Sequence, residues 1–388
     1  RNAPTKNTTG NILILKETHH RDRVNRAIAF EEPDRVPRDF AAVPEIWRKL
    51  GDHFGTEDRA EILKRLDVDC RIVSYDSFCT HPDIDLGTVD MDASQERSSV
   101  GGMWRYTEPD GSNRDIWGAH RKKVRHPTGE LERFASFPLE PAQTIDDLRK
   151  YRWPEPDWWN FSGLREYIDH FNDTGVYNIR YRMGSFFETA WSLYNFEKFQ
   201  LDMLMNPEMP KYVMDRIAGV HFHNLETVLE LAADLIDIVY YYDDVAMQNG
   251  LLISPELYEE FIQPYHRKVI ELASKYHKPV MMHCCGSVYP MIETFIQMGL
   301  SILNPIQPSA KDMEPEKLAR DFGGRIAFHG GIDVQQFLPG ATPEQVEKKV
   351  RSTCDLLGKE GGYIMSGSHH LQADIPLENV LAMYGLEY

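Results

Sequence analysis

The chain has 388 residues, 42% of them hydrophobic, with 7 Trp, 18 Tyr and 18 Phe, which suits one large domain or two ordinary ones. Its formal net charge is −17 and no basic tract stands out, which argues against nucleic acid and anionic membrane as partners. There is no apolar run of about 18 residues and no visible secretory signal. Five scattered cysteines make no disulfide framework, so a reducing cytoplasm is expected.

Residues 1–20 are polar and poorly patterned and are expected to form a flexible tail. A helix is predicted over residues 21–30, ended by Glu32-Pro33-Asp34. Val36-Pro37 then starts an extended segment. Residues 60–67 read as a helix and 70–75 as a strand. Residues 80–140 differ: they are rich in Gly, Asp and aromatic residues, with Pro109-Asp110-Gly111 as a turn between two hairpin-like stretches, Trp104-Arg105-Tyr106 and Asp115-Ile116-Trp117. This is a β-rich insertion that could serve as a lid, set within one domain over residues 21–388.

From Pro154 onward strand and helix alternate. Strands are predicted over residues 177–181, 236–242, 280–283, 300–304, 326–329 and 363–365. Helices lie between them, over 186–204, from Pro207, from Ser254-Pro255-Glu256 to about 276, up to 298, over 315–321, from Thr342-Pro343-Glu344 to 357, and from Pro376. The strands are short and apolar, and two-residue hairpins are not expected, which is the pattern of parallel strands buried on both faces. Seven or eight such units favour a single (β/α)8 TIM barrel of the α/β class, with an open doubly wound sheet as the alternative. The open sheet is weakened because neither G-x-G-x-x-G nor a P-loop occurs.

In such a barrel the chemistry collects at the C-terminal ends of the strands. Polar residues fall there repeatedly: Arg182, Met183, Gly184 and Glu188, then Asp243 and Asp244, then His283 and Cys285, then Asn304 and Gln307, then His329, then Ser366, Ser368, His369 and His370. Taken singly, each has a plainer explanation as a strand end, a helix cap or a solvated loop. Their convergence on one rim is what points to a site.

The sharpest motif is His283-Cys284-Cys285-Gly286, which ends the apolar run from Pro279. Side chains on a strand alternate faces, so His283 and Cys285 share one side and Cys284 takes the other. An imidazole and a thiol side by side suit a borderline-soft ion such as zinc. Two buried thiols and a satisfied core histidine would give the same letters. A catalytic zinc needs a third protein ligand and an open fourth position, and His370, His369 and His329 are the candidates.

These motifs, with Pro33-Asp34-Arg35-Val36-Pro37, Asn304-Pro305-Ile306-Gln307-Pro308, Gly330-Gly331-Ile332-Asp333 and Pro376-Leu377-Glu378-Asn379, resemble the uroporphyrinogen decarboxylase superfamily from about Arg23 to the C-terminus. The resemblance implies a (β/α)8 barrel. It is closer to the zinc-dependent, corrinoid-linked methyltransferase branch, because the Arg-Gln-Ala-Gly-Arg stretch of true decarboxylases is absent and Val36-Pro37-Arg38-Asp39-Phe40 stands near its place. That branch carries His-x-Cys and a later Cys as ligands. His283 and Cys285 match the pair, no Cys stands near the last strand, and His370 is the expected substitute.

The resemblance implies methyl transfer between a methylated small molecule or thiol and a corrinoid. No Asp-x-His-x-x-Gly pattern is present, so the cobamide would arrive on a separate protein or enter free. Asp244, Glu188 and Tyr181 are the expected catalytic residues, and Arg38, Met183, Asp243, Gln307 and His329 the expected substrate contacts. A homodimer is a further expectation. The rival readings are a metal-free decarboxylase of a porphyrinogen or other acidic aromatic substrate, and a non-catalytic tetrapyrrole or corrinoid binder.

Overall fold

In a computed structural model that describes residues 19–80, 105–126, 129–172 and 175–387, seven parallel strands form the central sheet. The tail over residues 1–18 and the insertion residues 81–104 lie outside the described residues. In chain order the strands are β1 (Cys70–Ser74), the insertion's β2 (Arg105–Thr107), β3 (Asn113–Asp115), β4 (His120–His126) and β5 (Gly129–Ser136), then β6 (Asn178–Arg182) and β7 (Ile238–Tyr242). There follow a hairpin of β8 (Ala246–Met247) and β9 (Gly250–Leu251), then β10 (Val280–His283), β11 (Ile302–Ile306), β12 (Ala327–Ile332) and β13 (Tyr363–Gly367). The parallel sheet runs β1-β6-β7-β10-β11-β12-β13. Consecutive barrel strands are therefore neighbours, as helical crossovers of one hand require.

The gap between β13 and β1 is bridged by residues 37–39. Asp39 N donates to the Met365 carbonyl (2.9 Å) and Met365 N to the Pro37 carbonyl (2.8 Å), while Asp69 N donates to the Arg38 carbonyl on the other side (2.9 Å). This short irregular strand completes the predicted (β/α)8 TIM barrel. Proline fits its first position because no N–H is needed there.

Alternation along the strands sorts the interior into layers. Cys70, Ile238, Met281, Ile302, Ala327 and Ile364 form an apolar layer, with Val24 of the helix His20–Ile28 against it. That helix packs on β1, β6 and β13 and closes the bottom of the barrel. Arg23 is tied to both Asp34 and Asp69, and Arg35 to Asp69, at 2.6–2.7 Å. The Pro33–Pro37 motif is thus structural: it locks the bottom helix to the start of β1.

Other differences from the sequence reading have local causes. The helix expected over 186–204 is two, Phe187–Tyr194 and Phe196–Met205, broken at Asn195 with φ 79°. Asparagine tolerates that conformation, and its Oδ1 accepts from Glu197 N (3.0 Å) as a cap. A two-residue turn, Gln248-Asn249, does occur between β8 and β9, whose strands are too short to show as a pattern. The helix Pro44–Phe54 was not foreseen. The insertion is an antiparallel sheet, β2-β3-β4-β5, anchored where Trp117 Nε1 donates to the Tyr75 hydroxyl (3.3 Å). Its described residues do not line the main cavity.

Candidate metal centre

Two residues up each strand from the apolar layer the interior becomes polar. Ile72, Arg180, Tyr240, His283, Asn304 and His329 border a cavity of about 340 Å³, which also takes in Asp39, Arg182, Glu188, Asp244, His369 and His370. A second cavity of about 360 Å³ lies beside it, lined by Gln248, Gln307, Gln335, Met247 and Cys285. Asp244 and His369 border both cavities, so the His283–Cys285 segment stands in the wall between them.

His283 ends β10 and Cys285 follows it on the same side, with Nε2 and Sγ 3.1 Å apart. Cys284 faces the opposite way, fully buried, and its Sγ accepts from Val245 N at 3.3 Å. Gly286 has φ +90°, and a Cβ there would lie 2.6 Å from the Met247 carbonyl oxygen. Only glycine lets the chain turn so close under β8.

His369, in the loop after β13, completes a trio: one ligand atom each from His283, Cys285 and His369 lie within 4.8 Å of one another. A tetrahedral zinc with bonds of about 2.0–2.3 Å sets its ligand atoms about 3.3–3.5 Å apart. Side-chain adjustments of about 1 Å bring the trio to that spacing. Two imidazoles and one sulfur are a donor set that zinc accepts with a fourth position open. The residues present fit the ion.

Asp244 and Glu188 stand next to the trio. Asp244 Oδ1 accepts from Cys285 N (2.6 Å), and Asp244 N donates to Glu188 Oε1 (2.8 Å). Burial, with Asp244 and Asp243 beside it, pushes Glu188 well above the usual carboxylate range. Burial also raises Asp244, against the pull of His283 and the Cys285 N–H. Burial raises the Cys285 thiol, with Asp244 adding to it. His369 has an exposed outer edge, yet desolvation and the adjacent His283 draw it down to about 4.

The other expected site residues are placed as follows. His370 lines the charged cavity and meets His369 Nδ1 at 3.4 Å, but His369 occupies the third corner of the trio. Strand alternation does not extend into this loop, so spacing could not choose between neighbours. His329 has both nitrogens engaged, with Asp39 (2.7 Å) and Asn304 (2.5 Å), and faces the cavity. Gln307 lines the second cavity, where its Oε1 accepts from Gly286 N (2.9 Å).

Four expectations fail on geometry. Tyr181 points away from the cavity into the helix layer, fully buried, because Arg180 and Arg182 take the inner positions of β6. Met183 is likewise buried outside the cavity. Arg38 turns to the Tyr384 carbonyl (3.0 Å), and its neighbour Asp39 faces inward instead. Asp243 is spent on backbone: it accepts from Phe186 N, Phe187 N and Glu188 N at 2.8–3.2 Å and pairs with His266 (3.0 Å). It caps the helix that carries Glu188. Asp39 and Arg180 were missed, and the alternation Asn178, Arg180, Arg182 was the available signal for the arginine.

No helix of the described residues is long and apolar enough to cross a membrane. A methylated-thiol–coenzyme M methyltransferase of Methanosarcina mazei is 31% identical over 135 residues, 34% of this chain and 33% of that protein. A uroporphyrinogen decarboxylase of Geotalea daltonii is 24% identical over 181 residues, 47% of this chain and 49% of that protein. The chain thus matches between a third and a half of the length of these curated relatives. A solved methyltransferase from Methanosarcina mazei superposes with a TM-score of 0.62 at 15% identity, over 95% of this chain and 97% of that one, a likeness of fold. The family described as Uroporphyrinogen decarboxylase (URO-D) matches residues 132–386, well over half of the chain. The chain therefore belongs to the uroporphyrinogen decarboxylase (URO-D) family, whose members are enzymes.

Proposed function

We propose that the protein is a zinc-dependent methyltransferase that moves a methyl group between a methylated small molecule or thiol and a corrinoid brought by a partner protein or entering free. The observation that carries this reading is the trio of His283, Cys285 and His369 in the wall shared by two cavities. Two cavities meeting there would give the two reactants of a transfer separate approaches.

His283, Cys285 and His369 would hold the ion. When bound, zinc supplies a Lewis acid that acidifies a ligated thiol or polarises an ether or hydroxyl oxygen. The chain's own groups supply the rest. Asp244 holds the Cys285 main chain through its N–H. Glu188, whose carboxyl is pushed well above the usual range by burial, stands beside the cavity as the group suited to exchange a proton there. Tyr240 and Tyr242 wall off water, and Arg182 offers its charge to an anionic end of the small substrate.

Metal analysis of protein purified without chelators tests the reading, together with loss of methyl–cobalt absorbance when methylcobalamin and a small thiol are added. The unaltered protein should carry zinc and turn over, and Cys285→Ala should do neither. Full activity in metal-free protein would overturn it. A decarboxylase is the second reading, favoured by the arginines Arg180 and Arg182 that reach the cavity. It is weakened because Arg180 is paired with Asp39 at 2.6 Å. Release of carbon dioxide from an acidic aromatic substrate by metal-free protein would promote it.

A further inference from the structure

A continuous hydrogen-bonded chain runs behind the trio. Cys285 Sγ meets His283 Nε2 (3.1 Å), and His283 Nδ1 meets Asn304 Oδ1 (2.7 Å). Asn304 Nδ2 meets His329 Nδ1 (2.5 Å), His329 Nε2 meets Asp39 Oδ2 (2.7 Å), and Arg180 pairs with that same oxygen (2.6 Å). Asn304, His329, Asp39 and Arg180 are all buried. Six residues from five different segments are joined, and the ion pair stands at the far end from the thiol.

The polarity of this chain is decided at the ion pair. Burial alone would raise Asp39, but the Arg180 charge and the His329 hydrogen bond outweigh it and hold the carboxyl well below the usual range. A carboxylate only accepts. His329 Nε2 must therefore donate. The Asn304 amide nitrogen, which only donates, faces His329 Nδ1, so that atom accepts and the ring carries its proton on Nε2. Only the amide N–H₂ of Asn304 can serve that acceptor, which turns the Asn304 oxygen toward His283. His283 Nδ1 must then carry the proton, and its Nε2 presents a bare lone pair toward Cys285. Every link has one donor and one acceptor, with the Cys285 S–H donating into Nε2.

We propose that Arg180, Asp39, His329 and Asn304 form a positioning relay that fixes His283 in its Nδ1–H form with Nε2 free toward the cavity wall. The consequence for an ion rests on the reading of His283 as a ligand, but the tautomer itself does not. None of the four belongs to the trio that would hold the ion, although all four border the cavity. They act through His283, as partners behind metal-bound histidines do.

The test uses full-length, metal-free protein labelled with ¹⁵N in histidine, at pH 8. Two-bond ¹H–¹⁵N spectra report which ring nitrogen is protonated, and signals are assigned by their loss in His283→Gln and His329→Gln. The expected result is Nδ1–H for His283 and Nε2–H for His329. A His283 ring in the Nε2–H form, or exchanging between forms, would overturn the relay, and this readout needs no variant at Asn304. Asn304→Leu should release His283 to a mixture dominated by Nε2–H and weaken zinc binding about 10–100-fold in competition with a chromophoric chelator. Asn304→Asp, which keeps an acceptor for His283 Nδ1, should hold the Nδ1–H form and bind zinc no more weakly than the unaltered protein. Equal zinc affinity in the leucine variant would count against the relay. The expected tautomers in a protein that takes up no zinc would support the relay and contradict the metal reading.

Discussion

At the scale of single residues, side-chain parity decides what belongs to the site. The His283-x-Cys285 spacing could be read from the sequence because the strand end was marked by an apolar run. The same rule applied to β6 points to Arg180 and Arg182, yet Tyr181 and Met183 were expected there. The alternation was there, with Asn178, Arg180 and Arg182 against Ile179 and Tyr181, but all five are buried, so polarity alone did not mark which face lined the cavity. Two substitutions separate the faces. Tyr181 has a buried hydroxyl with no hydrogen-bond partner among the described residues, so Tyr181→Phe should leave activity unchanged and stability equal or about 1 kcal/mol higher in denaturant unfolding. Asp39 lies one residue from Arg38 but inside the barrel, in a buried pair with Arg180. Asp39→Asn should cost about 3–5 kcal/mol at pH 7 by leaving Arg180 uncompensated. The folded-state pKa of Asp39 is depressed, so its contribution is present above the unfolded carboxylate value of about 3.9 and is lost as pH falls below it. The gap between variant and unaltered protein, measured by denaturant unfolding, should therefore stay constant from pH 7 to about 5 and narrow progressively as pH falls below about 4.

At the scale of elements, the site depends on two supports that sequence pattern does not show, since each joins segments far apart in the chain. The first is the cap that Asp243, at the end of β7, supplies to the helix Phe187–Tyr194. A carboxylate there satisfies orphan N–H groups and suits the positive end of the helix dipole. Asp243→Ala should cost more than about 2 kcal/mol and loosen Glu188, while Asp243→Asn, which can keep part of the cap, should cost less by thermal unfolding. The second is the close approach of Gly286 to the backbone of β8. Gly286→Ala should cost about 1–3 kcal/mol for the positive φ alone, and should weaken zinc uptake because Cys285 is carried on the same turn. Equal zinc affinity in that variant would separate the turn from the site. The repeated strand–helix rhythm was legible because parallel strands, buried on both faces, are compact apolar runs between helix caps. The closing strand at residues 37–39 was legible only as the start of an extended segment, being short and led by proline, and the β8–β9 hairpin escaped for the same shortness.

At the scale of the whole molecule, the barrel brings residues from most of the chain to one rim, while its bottom is sealed by the helix His20–Ile28 and the Asp69 ion pairs. The fold was legible as a whole and the rim as a region. The third corner of the trio was not, because a loop residue's direction is set by tertiary packing rather than by period. A site that binds an ion only when folded stabilises the fold by mass action. Zinc at about 100 times its dissociation constant should add about 2.7 kcal/mol, seen as a higher unfolding temperature that chelator reverses. The same addition to Cys285→Ala should give no shift. The central claim, that His283, Cys285 and His369 hold one ion, is tested most directly by X-ray absorption at the zinc edge of the loaded protein. The account predicts one sulfur at about 2.3 Å and two imidazole nitrogens at about 2.0–2.1 Å, with the sulfur shell absent in Cys285→Ala. A zinc environment without sulfur in the unaltered protein, or one unchanged in that variant, would contradict it.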